Sequence, residues 1–404
     1  MSLLSRSKPA QRTSRPNLGR KSLFRSTRFL PTVELLEDRR VPAVLKVNFL
    51  VTGDEVLPDP GGELSLREAL DVVNSGSTAS LTSAEQRQVS GTLGDNDTIV
   101  FDPSIFGKTI HLLPGDIRVG GGAAAAELTI TRSVKIIGPG SSLLTIDASN
   151  NGTDTSRALD ISGSNLDVSI SGITIIGGTA DSSVPHPGQG GGIYDSSGEL
   201  SLTDVVLKND AATGSAGTAQ SPNGGSAQGG GLYFSGDRLT ISNSTFTGDT
   251  ATGGAGAVAT VSGGDGGAAQ GGAIFVSAHH VLLQNDTFTN NSAVGGAGGA
   301  ANGGNGGGGG NGFGGALFTD SGKTTVNQST FTGNQANGGA GGAAGADGAA
   351  GTVGAAGKGQ GGAIYDANHH HIHGLGSDTF RGNSASTSDN DVFHEFRGDD
   401  SDRA

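Results

Sequence analysis

The sequence predicts an all-β chain folded as a right-handed parallel β-helix, a solenoid with a short N-terminal capping helix and Gly-rich inter-coil loops. Three observations point there. A module seen plainly at Gly271-Gly272-Ala273-Ile274-Phe275, followed by Val281, Leu283, Phe288 and Asn291, recurs at least five times. Its internal spacing is fixed while the gaps between copies vary, the mark of a stacked repeat. Each copy alternates apolar and polar residues between clusters of Gly, Asp, Asn and Ser and shows no helical period, which is strand chemistry punctuated by turns.

The copies begin at Ile193, Leu232, Ile274, Leu317 and Ile364, which are 39, 42, 43 and 47 residues apart. Counting from those residues, offset +7 holds Leu200, Leu239, Val281 and Thr324, and offset +9 holds Leu202, Ile241, Leu283 and Val326. Offset +14 holds Leu207, Phe246, Phe288 and Phe331. The last copy carries a two-residue insertion, so its equivalents are Phe380 and Asn383, and an earlier, degenerate copy fits the ruler with Leu159, Leu166, Val168 and Ile173. One copy alone buries little; stacked, each strand pairs with its own repeat about 4.8 Å away. Parallel crossovers are overwhelmingly right-handed, which sets the expected hand.

Composition bounds the rest. Of 404 residues, 74 are Gly and none is Cys or Trp, so the core must be thin and neither disulfides nor thiolate metal sites arise. No run approaches the roughly 20 apolar residues of a membrane-spanning helix. Residues 1–40 carry 10 Lys/Arg against 3 Asp/Glu, leaving 15 of the chain's 25 and 35 of its 38 for the remainder, a net of −20. An acidic body with a basic leader is not the charge pattern of a nucleic-acid binder.

Taken in order, residues 1–43 form a basic leader without the roughly 7 to 15-residue apolar centre of an ordinary secretory signal. Val44-Leu45-Lys46-Val47-Asn48-Phe49 alternates like a strand. In Glu63-Leu64-Ser65-Leu66-Arg67-Glu68-Ala69-Leu70, Ser65 and Glu68 have capping-box spacing while Leu66, Ala69, Leu70 and Val73 share one helical face. Such a helix would cover the open end of the first coil. We divide the chain into this leader, an N-terminal cap with the first coils (44–158), repeats with Gly/Ala-rich insertions (159–383) and a polar tail (384–404).

Several stretches resemble known families. Val33-Glu34-Leu35-Leu36-Glu37-Asp38-Arg39-Arg40-Val41-Pro42-Ala43 resembles the LExLEDR motif near the N-terminus of many planctomycete proteins thought to be exported, and implies an extracellular or cell-surface location. Residues 63–70 resemble the CSLREA segment of bacterial surface β-helix proteins, with Glu63 at its Cys position. The Gly-Asp-x-Ile-x-Phe element of that family has its counterpart in Gly94-Asp95-Asn96-Asp97-Thr98-Ile99-Val100-Phe101. Leu128-Thr129-Ile130, Val134-Lys135-Ile136-Ile137-Gly138-Pro139-Gly140 and Leu144-Thr145-Ile146-Asp147 follow as the family pattern has them. From Ile193 on, Gly-Gly-Ala-Ile paired with Phe-x-x-Asn resembles the repeats of polymorphic outer membrane proteins and related adhesins. Those commonly end in a membrane β-barrel, whereas here about twenty polar residues follow Asn383.

The insertions are tracts of Gly and Ala that leave each coil after offset +17 and return before the next Gly-Gly, so all should emerge on one side. In the last, Gly339, Gly342, Gly345, Gly348, Gly351, Gly354 and Gly357 fall every third residue, the polyproline II period. They would either stack as a polyglycine-like layer or remain flexible loops.

Two columns could carry function. Offset +17 holds Asp210, Asp249, Asn291, Asn334 and Asn383. Asp210 over Asp249 has the spacing of an acid and nucleophile pair, but a mixed Asp/Asn column is what turn geometry allows, and we expect a structural turn ladder. Offset +1 is aromatic throughout: Tyr194, Tyr233, Phe275, Phe318 and Tyr365. Facing outward, it would make a stripe able to bind a sugar or partner; alternatively the Gly loops fold over it or it packs inside, which is the favoured arrangement. His279 and His369 share offset +5 but stand about 10 Å apart with a coil between, too far to share a metal. The run His369-His370-His371 with His373 reads as solvated turn residues. Gly263-Gly264-Asp265-Gly266-Gly267-Ala268 has Ala where a calcium-binding nonapeptide needs Asp, and Arg397-Gly398-Asp399 is too short to be specific. No catalytic residue, metal or cofactor is assigned.

The expected function is therefore non-catalytic: an exported surface or matrix β-helix protein with an adhesin-like binding or structural role, its partners glycans or cell-surface or matrix components. The alternative is a polysaccharide-active enzyme, pectate-lyase-like or a glycoside hydrolase, on the same fold. That would need acids and a base clustered on one exposed face.

Overall fold

The computed structural model describes residues 41–49, 62–112, 127–149, 156–345, 351–367 and 372–394. The chain divides into two units, Met1–Arg39 and Arg40–Ala404. The first, which holds most of the export motif, lies outside the described residues, as do His369, His370, His371 and the Arg397-Gly398-Asp399 tripeptide.

An alternating strand buries one face and must bond along both edges, and here each strand finds its neighbour one module further along the chain. The second unit is mostly β-strand in long parallel sheets, an arrangement compatible with a β-helix-like solenoid; sheets of 20, six and four strands are formed. Among the described strand pairs, only Val44–Leu45 against Val89–Ser90 is antiparallel. Three apolar ladders run through the largest sheet. One passes Leu128, Leu159, Ile193, Leu232, Ile274, Leu317, Ile364 and Val392. A second passes Leu45, Ile99, Ile136, Ile170, Leu202, Ile241, Leu283 and Val326. The third passes Ile110, Ile146, Ile175, Leu207, Phe246, Phe288, Phe331 and Phe380. All are buried except Val392 and Phe380 in the last coil, which are half-buried. Fully burying one such side chain stabilises by roughly 1.5 to 3 kcal/mol relative to leaving it exposed.

The two-residue insertion expected in the last copy is present: Phe331 pairs with Phe380. The degenerate copy departs from the ruler. Leu159 pairs with Ile193, but Leu200 lies over Val168 and Leu202 over Ile170, so this copy spends two more residues in the turn that begins at Ser162. The strands before residue 158 pair directly with those after it, Leu128–Ile130 with Leu159–Ile161, so cap and repeats share one sheet. Beyond Asn383 the polar stretch adds two further strands, Ser384–Ala385 and Val392–His394.

The helix Leu66–Ser75 starts as its sequence requires. Ser65 accepts from the Glu68 backbone N–H while the Glu68 carboxylate accepts from the Ser65 N–H, and Gly76 closes the helix at φ 66°. Leu66, Ala69, Leu70, Val72 and Val73 are buried in the main core. Asn74 acts as a surrogate strand, its amide donating to the Thr129 carbonyl at 2.8 Å and accepting from the Thr131 N–H at 2.9 Å. It thus occupies hydrogen-bonding groups along Leu128–Ile130, the first strand of its ladder.

The described parts of the Gly/Ala tracts, which leave out residues 346–350, are ordered. Ala212, Ala227, Ala251, Ala269 and Ala293 form a small core of their own beside the main one. Further out, outgoing and returning arms bond to one another in a zigzag: Gly254 to Gly225, Gly267 to Gly254, Gly296 to Gly267, Gly310 to Gly296, and Gly339 to Gly310, each N–H···O at 2.8 Å. A Cβ on Gly296 would stand 2.0 Å from the Gly254 carbonyl oxygen, and one on Gly310 1.9 Å from that of Gly267. Backbones this close leave no room for any side chain, which is why the three-residue Gly period persists.

Candidate functional site

Strand alternation places offset +17 at the corner where each coil leaves the main sheet, and burial there demands that every polar atom find a partner. The column meets that demand by repetition. The backbone N–H of Gly178 donates to Asp210 Oδ1 at 2.7 Å, Asp210 N–H to Asp249 Oδ1 at 3.0 Å, Asp249 N–H to Asn291 Oδ1 at 2.9 Å, and the pattern continues through Asn334 to Asn383. Each Asn amide also donates to a carbonyl on the preceding coil, Asn291 to Phe246, Asn334 to Phe288 and Asn383 to Phe331, all at 3.1 Å. Asp391 Oδ1 ends the run by accepting from Asn383 Nδ2.

Asp210 and Asp249 lack that second donor, and Oδ2 of each is buried with no hydrogen-bond partner. Burial pushes both carboxyls well above the usual carboxylate range, and the neighbouring Asp249 charge raises Asp210 further. The residue before the module start changes in step: Gly192 and Gly231 face the two aspartates, while Ala273, Ala316 and Ala363 occur in the Asn copies. A Cβ at Gly192 would lie 2.8 Å from Asp210 Oδ2, and one at Gly231 3.0 Å from Asp249 Oδ2. Both aspartates are buried and tied by Oδ1 to backbone N–H groups.

The aromatic column is stacked and largely covered. Tyr194, Phe275, Phe318 and Tyr365 are 2 to 6% exposed, and Tyr233 is half-buried. Instead of an open outward stripe, the rings lie face to face at 5.1, 5.1, 5.3 and 5.2 Å between centroids, with His186 stacked 4.1 Å from Tyr194 and Phe393 4.9 Å from Tyr365. Phe275, Phe318 and Tyr365 form a core cluster of their own with Phe313 packed against it. A ligand could reach these faces only by separating neighbouring coils.

The sequence contained a third column that its pattern alone did not single out. At offset −4 stand Gln189, Gln228, Gln270, Phe313 and Gln360. Gln189 Nε2 donates to Gln228 Oε1 at 2.8 Å and Gln228 Nε2 to Gln270 Oε1 at 2.9 Å. Phe313 interrupts this ladder and lays its ring against Phe318 and Tyr365. The Gln-Gly-Gly that recurs at Gln189, Gln228, Gln270 and Gln360 was the available signal. A fourth column, at offset +12, repeats the backbone-to-side-chain pattern, with Val205 N–H donating to Ser244 Oγ and Ser244 N–H to Asp286 Oδ1. Burial pushes Asp286 up to about 7 despite two backbone N–H bonds. Asp195, in the core-facing row beside Ile161 and Phe234, is pushed up to about 6, again by burial.

No protein-family model, curated protein or solved structure matches the chain.

At the head of the aromatic stack, Arg157 is fully buried. It meets Glu127 at 3.0 Å, donates to the Gly190, Pro185 and Gln189 carbonyls, and sits 5.1 Å from the centre of the Tyr194 ring. Burial raises Glu127 and lowers Arg157, and each charge opposes the shift of the other. These contacts fold residues 185–190 onto the first aromatic ring. Among the described residues no group of three or more His, Cys, Asp or Glu is placed to hold a metal ion, and no helix is long and apolar enough to cross a membrane.

Proposed function

We propose that the chain is a right-handed parallel β-helix and serves as an exported, non-catalytic surface or matrix component that binds glycans or cell-surface partners. The supporting observation is vertical register. Like residues lie over like through ladder after ladder, which repeats the outward rows of the main sheet about every 4.8 Å and suits them to regular polymers or extended surfaces. Of the carboxyl pairs stacked in register, Asp210 with Asp249 is turned inward and bonded to backbone, and Asp167 with Glu199 lies exposed on the coils before Arg238. Right-handedness follows the general preference of parallel crossovers. Export rests on the motif ending at Ala43.

The test has two arms. Fractionating the native host should find the chain outside the cytoplasm. The full-length chain, incubated with polyuronides and neutral glycans, should be retained on one or more of them without releasing oligosaccharides. Steady product release would replace this reading with the polysaccharide-active enzyme.

A further inference from the structure

Between residues 159 and 383 the chain has five Lys and Arg residues: Lys208, Arg238, Lys323, Lys358 and Arg381. Two of these five fall in one register column with a histidine between them, Arg238 over His280 over Lys323. Alternation turns this column outward together with the row two residues on, Thr240, Leu282 and Thr325, while Leu239, Val281 and Thr324 between them are buried. The six outward residues line an open depression of about 230 Å³. A third outward row, Ser242, Gln284 and Asn327, lies in the same register alongside. His373, paired with Thr325, continues the middle row.

The acids of this column lie at its other end, Asp167 over Glu199, so the cationic part is the stretch from Arg238 to Lys323. Glu199, one coil before Arg238, approaches its Nε only to 3.7 Å with both side chains more than half exposed, so that pair is weak. Asp237 is turned to His279 at 3.1 Å. Among the described residues no carboxylate pairs with His280 or Lys323. In a body of net charge −20, a cationic row backed by hydroxyl and amide rows stands out as a place built for a counter-charged ligand.

We propose that this depression binds a carboxylated glycan, a uronate-containing chain lying along the stacking direction with its carboxylates over Arg238 and Lys323. The inference rests on the binding role proposed above and names the ligand class. Arg238 and Lys323 are two strand spacings apart, about 10 Å, so carboxylates with that separation along a polymer meet alternate coils, with His280 between, without bending the chain. Thr240, Thr325, Gln284 and Asn327 offer donors and acceptors to ring hydroxyls, and Leu282 offers one small apolar patch to a sugar face. The surrounding negative charge disfavours polymers of much higher charge density such as nucleic acid.

The experiment measures retention of the full-length chain on de-esterified polygalacturonate and on the same polymer fully methyl-esterified, at low and at high salt. Binding should favour the de-esterified form and weaken as salt rises, since exposed charges are screened within about 10 Å at 0.1 M. The double variant Arg238→Glu with Lys323→Glu should lose about tenfold in affinity, about 1.4 kcal/mol, through the loss of two exposed charge pairs. Its circular dichroism and melting should match wild type, because both side chains are exposed. Equal binding of both polymers, or unchanged binding by the double variant, would overturn this assignment while leaving a glycan-binding role standing. Tighter binding to an acidic peptide than to the uronate would overturn it in favour of a protein partner. No retention on any glycan or cell surface would remove the binding role itself.

Discussion

A carboxyl and a carboxamide have almost the same outline, and the column from Asp210 to Asn383 separates them by one proton. Asn291 and Asn334 present an N–H to a carbonyl on the preceding coil, whereas an ionised Asp249 in the same place presents a second acceptor. Asp249→Asn should therefore stabilise the fold by about 1 to 3 kcal/mol where the pH is high enough to ionise Asp249, and by less where burial keeps the carboxyl protonated, read as a rise in the denaturant midpoint; a lower midpoint at high pH would count against the hydrogen-bond scheme. Asp195 and Asp286, raised to about 6 and about 7, hold a proton more tightly folded than unfolded. Their contribution is full below about pH 4, the unfolded carboxylate range, and is lost as pH climbs through 6 and 7. Melting temperature should accordingly be higher at pH 5 than at pH 8, and Asp195→Asn should narrow that gap. The mixed Asp/Asn column was expected to hold the left-handed turn positions, but those fall one residue earlier, at Asn209, Gly248, Asn290, Gly333 and Gly382, and the column itself bonds from coil to coil. Its burial was not legible, because nothing in a single copy says which way a corner residue points; the companion change from Gly192 and Gly231 to Ala273, Ala316 and Ala363 carried that information at a distance.

At the level of the element, the N-terminal helix shows how local and tertiary signals divide. Ser65, Glu68 and the apolar face of Leu66, Ala69, Leu70 and Val73 are local, and the helix forms where they indicate. Asn74 carries no such local mark, since its role exists only once Thr129 and Thr131 are beside it. Ser65→Ala should lower stability by about 1 kcal/mol through the lost cap. Asn74→Leu should go further and leave the Thr129 carbonyl and the Thr131 N–H to water. Hydrogen exchange at the Thr131 amide is the check, and unchanged protection there would contradict the edge-covering role. The degenerate copy makes a related point: Leu159, Leu166, Val168 and Ile173 matched the ruler by residue type, but Ile170 and Ile175 matched it two positions later, and only pairing with Leu202 and Leu207 decides between them.

For the second unit as a whole, the repeated copies were readable because stacking demands the same residue type at the same height in every coil. The glycine tracts were readable only as alternatives, since a three-residue period fits both a packed layer and a flexible loop. The structure gives them partners on neighbouring arms. Gly310→Ala, whose Cβ would meet the Gly267 carbonyl oxygen at 1.9 Å, should destabilise by a few kcal/mol and open the arms to protease. Gly308→Ala in the same arm, with nothing nearer than 3.4 Å, should do neither. Equal effects from the two would mean that the layer is not packed in solution. The aromatic column has a consequence for observation. The chain has no tryptophan, and its three tyrosines all belong to that single stack. Near-ultraviolet dichroism and intrinsic emission therefore arise mainly from one line of rings, whose electronic coupling depends on face-to-face separation. Any treatment that spreads the coils, whether heat, denaturant or a docked polymer, should appear there as a spectral change without an attached dye.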